Sequence, residues 1–118
     1  MDYETPVVVV RDVDGVTIVR LRNANLTGAI EIQHISSEID HILERCVRKL
    51  IVDFKYVRYA GSAALGMLIS VQKKMQKLGG KMVLSHSENI AKLLHVSHTG
   101  GLFTLAPDPR AAFKLFPA

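Results

Sequence analysis

One cysteine, Cys46, is all the thiol this chain of 118 residues carries. An internal disulfide framework is therefore excluded, and the usage suits a reducing compartment. Long hydrophobic runs are missing too: the apolar stretches fall far short of the ~20 residues that cross a bilayer. No basic segment followed by an apolar one opens the chain, so a signal peptide is not expected and a cytoplasmic, membrane-free setting is. Repeats, low-complexity tracts and linkers are absent, which leaves a single domain over 1–118. Carboxylates are outnumbered, 11 against 15 Lys and Arg, for a net charge of +4. The densest cationic run, KKMQK (73–77), falls on the polar side of an expected helix, and no groove-reading motif accompanies it. An acidic protein surface is thus the expected complement, not nucleic acid.

What is present is the composition of a globular domain, 48% apolar and 22% charged. PVVVVRD and VTIVRLR are β-branched runs separated by a DVDG turn signal, and read as a hairpin. A helix is expected from Thr27, with Ile32, Ile35, Ile39 and Ile42 forming one buried stripe, which Cys46 continues as a small apolar residue. KLIVDF reads as a central strand. Ala64, Leu68, Val71, Met75 and Leu78 recur at helical spacing until Gly79-Gly80 stops them. KMVLSH is the next strand, SENIAKLLHV a helix with Ser87 as N-cap, and LFTL a last short strand. Asp108 caps a final helix with Pro109 at its first position. The order ββαβαβαβα predicts an α/β fold with a mixed sheet: an N-terminal hairpin, then mainly parallel strands, with about four helices packed on it.

The stretch RYAGSAALGML (58–68) places one hydroxyl where strand gives way to helix. Ser62 there is expected to cap the helix by accepting from first-turn N–H groups, and the same groups and the helix dipole would stabilise a negative charge on it. Small neighbours would let another protein approach. A catalytic nucleophile needs a base and an orienting acid, and AGSAA is not a Gly-x-Ser-x-Gly elbow, so no catalytic residue is assigned. Asp53, closing an apolar strand, suggests a phosphorylated receiver aspartate, but a strand follows the first acids where a receiver has a helix; Asp53 reads instead as a strand end or loop cap. His86, His95 and His98 lack a carboxylate or Cys at ligand spacing, so His95 and His98 are read as solvated, with His34 and His41 on the helix surface; no metal or other cofactor is expected.

From about residue 48 onward the chain resembles the STAS domain of bacterial anti-sigma factor antagonists. That family has an apolar strand, then Asp-Ser-Ser/Thr-Gly-Leu-Gly opening a helix, then Gly-Gly and another strand. Here Gly61, Ser62, Ala63, Ala64, Leu65 and Gly66 stand at the motif, followed by Gly79-Gly80 and LLHVSHTGGLF. The resemblance implies a non-enzymatic regulator of transcription acting by partner switching. Its partner would be an anti-sigma factor that is also a serine kinase and binds the ATP itself; other STAS proteins are further candidate partners. Ser62 would be the phosphorylated residue. Gly61, Ala63, Ala64, Leu65, Gly66 and Met67, the last expected on the exposed side of the helix, would form or shape the partner-binding surface, bordered by Asn23 and Asn25. Gly61 replaces the family aspartate, Ala63 and Ala64 replace the second hydroxyl and glycine, and RNANLTG (22–28) replaces an acidic loop. These departures imply an alternative, a non-switching STAS scaffold or assembly subunit that is never phosphorylated.

Overall fold

The computed structural model describes residues 2–117. Two antiparallel strands, β2 (Val8–Val13) and β3 (Val16–Leu21), are joined by Asp14 and Gly15, both at positive φ (50° and 81°). That pair of left-handed residues forms the tight turn whose twist matches a hairpin, and Asp and Gly tolerate it. A short β1 (Tyr3–Glu4), not expected from the sequence, adds antiparallel to β2. Beyond the hairpin the sheet becomes parallel. β5 (Lys49–Asp53) lies beside β3, β7 (Lys81–Ser85) beside β5, and β8 (Thr104–Ala106) beside β7, giving the order β1-β2-β3-β5-β7-β8. The expected mixed sheet with four helices is therefore observed.

Side chains alternate across the sheet, so each strand feeds two layers. Val19, Leu50, Val52, Met82 and Leu84 face α1 (Ala29–Leu43) and α2 (Ser62–Lys77), whose stripes Ile32/Ile35/Ile39/Ile42 and Ala64/Leu68/Val71/Met75 are buried. Val16, Ile51 and Val83 face the other way, onto Ala112 of α4 (Pro109–Phe113). α4 starts as its sequence predicts: the Asp108 carboxylate accepts from the Ala111 N–H at 2.8 Å. The Gly-Gly stop is equally direct. Gly79 takes a φ of 72°, and the N–H groups of Gly80 and Gly79 donate to the carbonyls of Met75 and Gln76 at 2.8 and 3.1 Å, the Schellman closure of a helix end.

Several expectations need correction. α1 begins at Ala29 with Gly28 as its N-cap, two residues later than expected. Cys46 lies beyond the helix, exposed and at a φ of 62°, because the chain reverses there and the apolar stripe ends at Leu43. Ser87 does not cap a long helix. It opens a 3-10 turn, Ser87–Asn89, and its hydroxyl donates to the Ala106 carbonyl at 3.1 Å; α3 is only Ala91–Val96. A second 3-10 turn, Gly100–Leu102, displaces the start of the last strand to Thr104.

Candidate functional site

Three parallel strands end together at one edge of the sheet, and their register decides what gathers there. Arg20 on β3 pairs with Asp53 on β5, which pairs with Ser85 on β7. Residues level across a sheet project from the same face, so a cation, a carboxylate and a hydroxyl stand in a row. Asp53 is fully buried. Its Oδ2 accepts from Arg20 Nε at 2.8 Å, and its Oδ1 accepts from Ser85 Oγ at 3.0 Å and from the Lys55 N–H at 3.2 Å. His86, turned back by a left-handed backbone (φ 52°), brings Nδ1 to 2.6 Å from the same Oδ1. Burial pushes the Asp53 carboxyl up, but the bonds from His86, Arg20 and Ser85, with the charge of His86, outweigh it and hold the carboxyl below its ordinary value. Tyr56 completes the cluster, with the Arg20 guanidinium 5.8 Å from its ring centre.

This clasp fixes the root of the loop that leads to the motif. Phe54 N–H donates to the Ser85 carbonyl at 3.0 Å, and Asn89 Nδ2 donates to the Phe54 carbonyl at 2.7 Å. The loop then crosses to a second, two-stranded sheet in which β4 (Asn25–Leu26) runs parallel to β6 (Tyr59–Ala60). The Ala24 carbonyl accepts from Arg58 and Tyr59 at 2.7 and 3.1 Å, and the Leu26 carbonyl accepts from Gly61 at 3.1 Å. The segment holding Asn23 and Asn25 is thus laid beside the one that opens α2, an adjacency the sequence suggested only by resemblance. Asn25 is exposed, and Asn23 is half-buried with an Oδ1 that finds no partner among the described residues.

Ser62 is the first residue of α2 and is exposed. It is not the N-cap: Gly61 is, in an extended conformation (φ −110°, ψ −171°), and no side chain caps the helix. No acidic residue lies in the first turn either, so the leading N–H groups have no side-chain acceptor. A Cβ on Gly61 would make only ordinary contacts, 3.8 Å to Thr27 Cγ2, so packing does not require glycine there. Ala63 and Gly66 are exposed, Leu65 half-buried, and Ala64 buried. Met67 is corrected: only 5% of it is exposed. Its position places it beside the Ala64–Leu68 stripe, so it packs into the core and cannot present a contact surface.

Sequence reasoning passed over the Asp53 clasp. Asp53 and His86 had each been singled out, but for other roles, and only strand register joins them with Arg20 and Ser85. Buried and four times hydrogen-bonded, Asp53 has no receiver-like access to solvent. His95 and His98 are exposed, as are His34 and His41, and the described residues hold no group of three His, Cys, Asp or Glu able to bind a metal ion.

The sequence pattern of the STAS domain matches residues 7–112. The chain belongs to the STAS-domain family. No curated protein matches it. Solved structures of low identity share the fold. An anti-sigma factor antagonist from Mycobacterium paratuberculosis is 21% identical with a TM-score of 0.78, over 95% of this chain and 97% of that one. A STAS-domain anti-sigma-factor antagonist from Planctomyces limnophilus is 18% identical with a TM-score of 0.72, over 92% and 97%. The phosphorylated form of the Bacillus cell-fate determinant SpoIIAA is 18% identical with a TM-score of 0.68, over 92% and 99%. This STAS domain therefore has the fold of anti-sigma factor antagonists, and among the described residues no helix is long and apolar enough to cross a membrane.

Proposed function

We propose that this STAS domain is a cytoplasmic anti-sigma factor antagonist that works by partner switching. Unmodified, it binds an anti-sigma factor that is also a serine kinase, and phosphorylation of Ser62 by that kinase releases it. The ATP is bound by the partner. Its γ-phosphoryl passes to the Ser62 oxygen, the hydroxyl proton leaves to a base on the kinase, and ADP departs; the STAS domain contributes no catalytic group. The observation that carries this reading is that Ser62 is exposed on a first turn without a side-chain cap or acid. Such a turn accommodates the charge of about −1.5 to −2 that a phosphate brings. Exposed Ala63 and Gly66 beside it leave little bulk, so a partner can pack closely; a dianion introduced into that contact would cost desolvation and repulsion.

Incubation with the cognate kinase and ATP, followed by intact-mass measurement, tests the reaction. One phosphate gained, and lost in Ser62→Ala, is expected. Titration calorimetry tests the switch: Ser62→Asp should bind the anti-sigma factor more weakly than wild type, and equal affinities would refute the mechanism. Gly61 in place of the family aspartate favours a second reading, an unmodified STAS scaffold or assembly subunit that binds other STAS proteins. Because a Cβ at that position makes only ordinary contacts, a Gly61→Asp variant that becomes phosphorylated where wild type is not would select this second reading.

A further inference from the structure

Beside the start of α2 runs a groove of about 280 Å³, walled by Arg58, Tyr59 and Ala60 of the β6 segment on one side and by Asn89 to Val96 of the α3 segment on the other. Two of the most exposed large apolar side chains of the protein flank it, Tyr59 at 68% and Val96 at 66%. Its charged lining residues are both cationic, Arg58 and Lys92. Both are exposed, and neither makes an ion pair among the described residues. Asp53, the carboxylate on the strand that precedes this segment, is buried and already matched by Arg20. Glu88, exposed in the neighbouring 3-10 turn, is not part of the lining. Ala60, on the groove wall, is two residues from Ser62.

We infer that this groove receives an acidic, apolar-anchored segment of a partner protein. An apolar residue of the segment lies between Tyr59 and Val96, and carboxylates on either side meet Arg58 and Lys92. Exposed apolar side chains give up water contact on docking, and unpaired cations of one sign select the sign of the visitor. Naming the partner as the anti-sigma factor rests on the function proposed above; the chemistry of the segment does not. If it is that protein, a phosphate on Ser62 adds like charge next to the arriving carboxylates, which strengthens release.

The probe is a short synthetic helix-forming peptide with leucines on one face and glutamates on the other, titrated into the isotope-labelled full chain and followed by amide NMR shifts. Shifts confined to residues 58–60 and 89–96 are expected. High salt should weaken binding, since exposed charges are screened, and the combined change Arg58→Glu with Lys92→Glu should weaken it roughly tenfold. Val96→Ser should weaken it without changing its salt dependence. The inference is overturned if the shifts fall instead on the Lys73–Lys77 face, or if no shifts occur. It is also overturned if a lysine-leucine peptide binds equally well, or if a single-stranded oligonucleotide binds the groove more tightly. None of these arms uses the anti-sigma factor or a modified Ser62, so their failure leaves the phosphorylation result standing, and the reverse holds as well.

Discussion

Asp53→Asn isolates the clasp beneath the motif. The change keeps shape and volume, yet an amide presents one oxygen where the carboxylate has two, and its nitrogen can only donate. With the oxygen kept toward Ser85, His86 and Lys55, the amide nitrogen faces the Arg20 guanidinium, donor against donor. The reverse orientation loses the bonds from Ser85, Lys55 and His86 together. The cheaper arrangement gives up the bond from Arg20, charged on both sides, for which the usual cost is ~1.5–3 kcal/mol. Arg20 has a side chain 31% exposed and can turn toward water, which places the loss near the middle of that range, about 2 kcal/mol. For a domain of this size that is a fall in Tm of roughly 6–12 °C. The pH dependence has a definite sign. Asp53 is held below its ordinary value in the folded protein, so its contribution is complete above the unfolded carboxyl pKa of about 3.9 and disappears as pH falls through the folded value. The amide does not titrate. Urea unfolding of both proteins across pH should therefore give a stability gap that is present at about pH 5 and closes in more acidic solution. A gap under ~0.5 kcal/mol at neutral pH, the range of an unremarkable surface change, would refute the assignment, as would a gap that acid leaves untouched.

Two glycines should respond in opposite directions. A Cβ on Gly80 would lie 2.7 Å from the Arg48 carbonyl oxygen and 2.7 Å from Met75 Cε, so Gly80→Ala should lose about 1–3 kcal/mol by overpacking, read as a lower urea midpoint with unchanged slope. Gly66 is exposed within α2 and a Cβ there meets nothing within 4 Å, so Gly66→Ala should gain about 0.5–1 kcal/mol. If the anti-sigma factor packs on that turn, the same variant binds it more weakly in titration calorimetry despite being more stable; unchanged affinity would remove Gly66 from the contact.

Local signals carried most of the architecture. The Asp-Gly turn, the isoleucine stripe of α1, the apolar stripe and Gly-Gly stop of α2, and the Asp-Pro opening of α4 each act within a few residues, and each formed where its residues predicted. Boundaries failed where a local preference met a tertiary competitor. Ser87 can cap a helix, but the Ala106 carbonyl on the last strand takes its proton instead. Met67 could be assigned to either side of α2 by spacing alone, and the sheet beneath took it.

The motif around Ser62 was legible because strand, glycine, serine and helix follow one another in the chain. Whether that serine faced solvent was not, since exposure depends on how α2 lies on the sheet. Register was equally hidden: Arg20, Asp53 and Ser85 are separated by more than thirty residues at each step, and nothing local says that three strands will stop level. The same holds for the basic groove, whose walls come from β6 and α3. Sequence determines which segments coil or extend, because those preferences are short-ranged; only the packed sheet decides which distant side chains share a face, because that is settled by long-range pairing and burial.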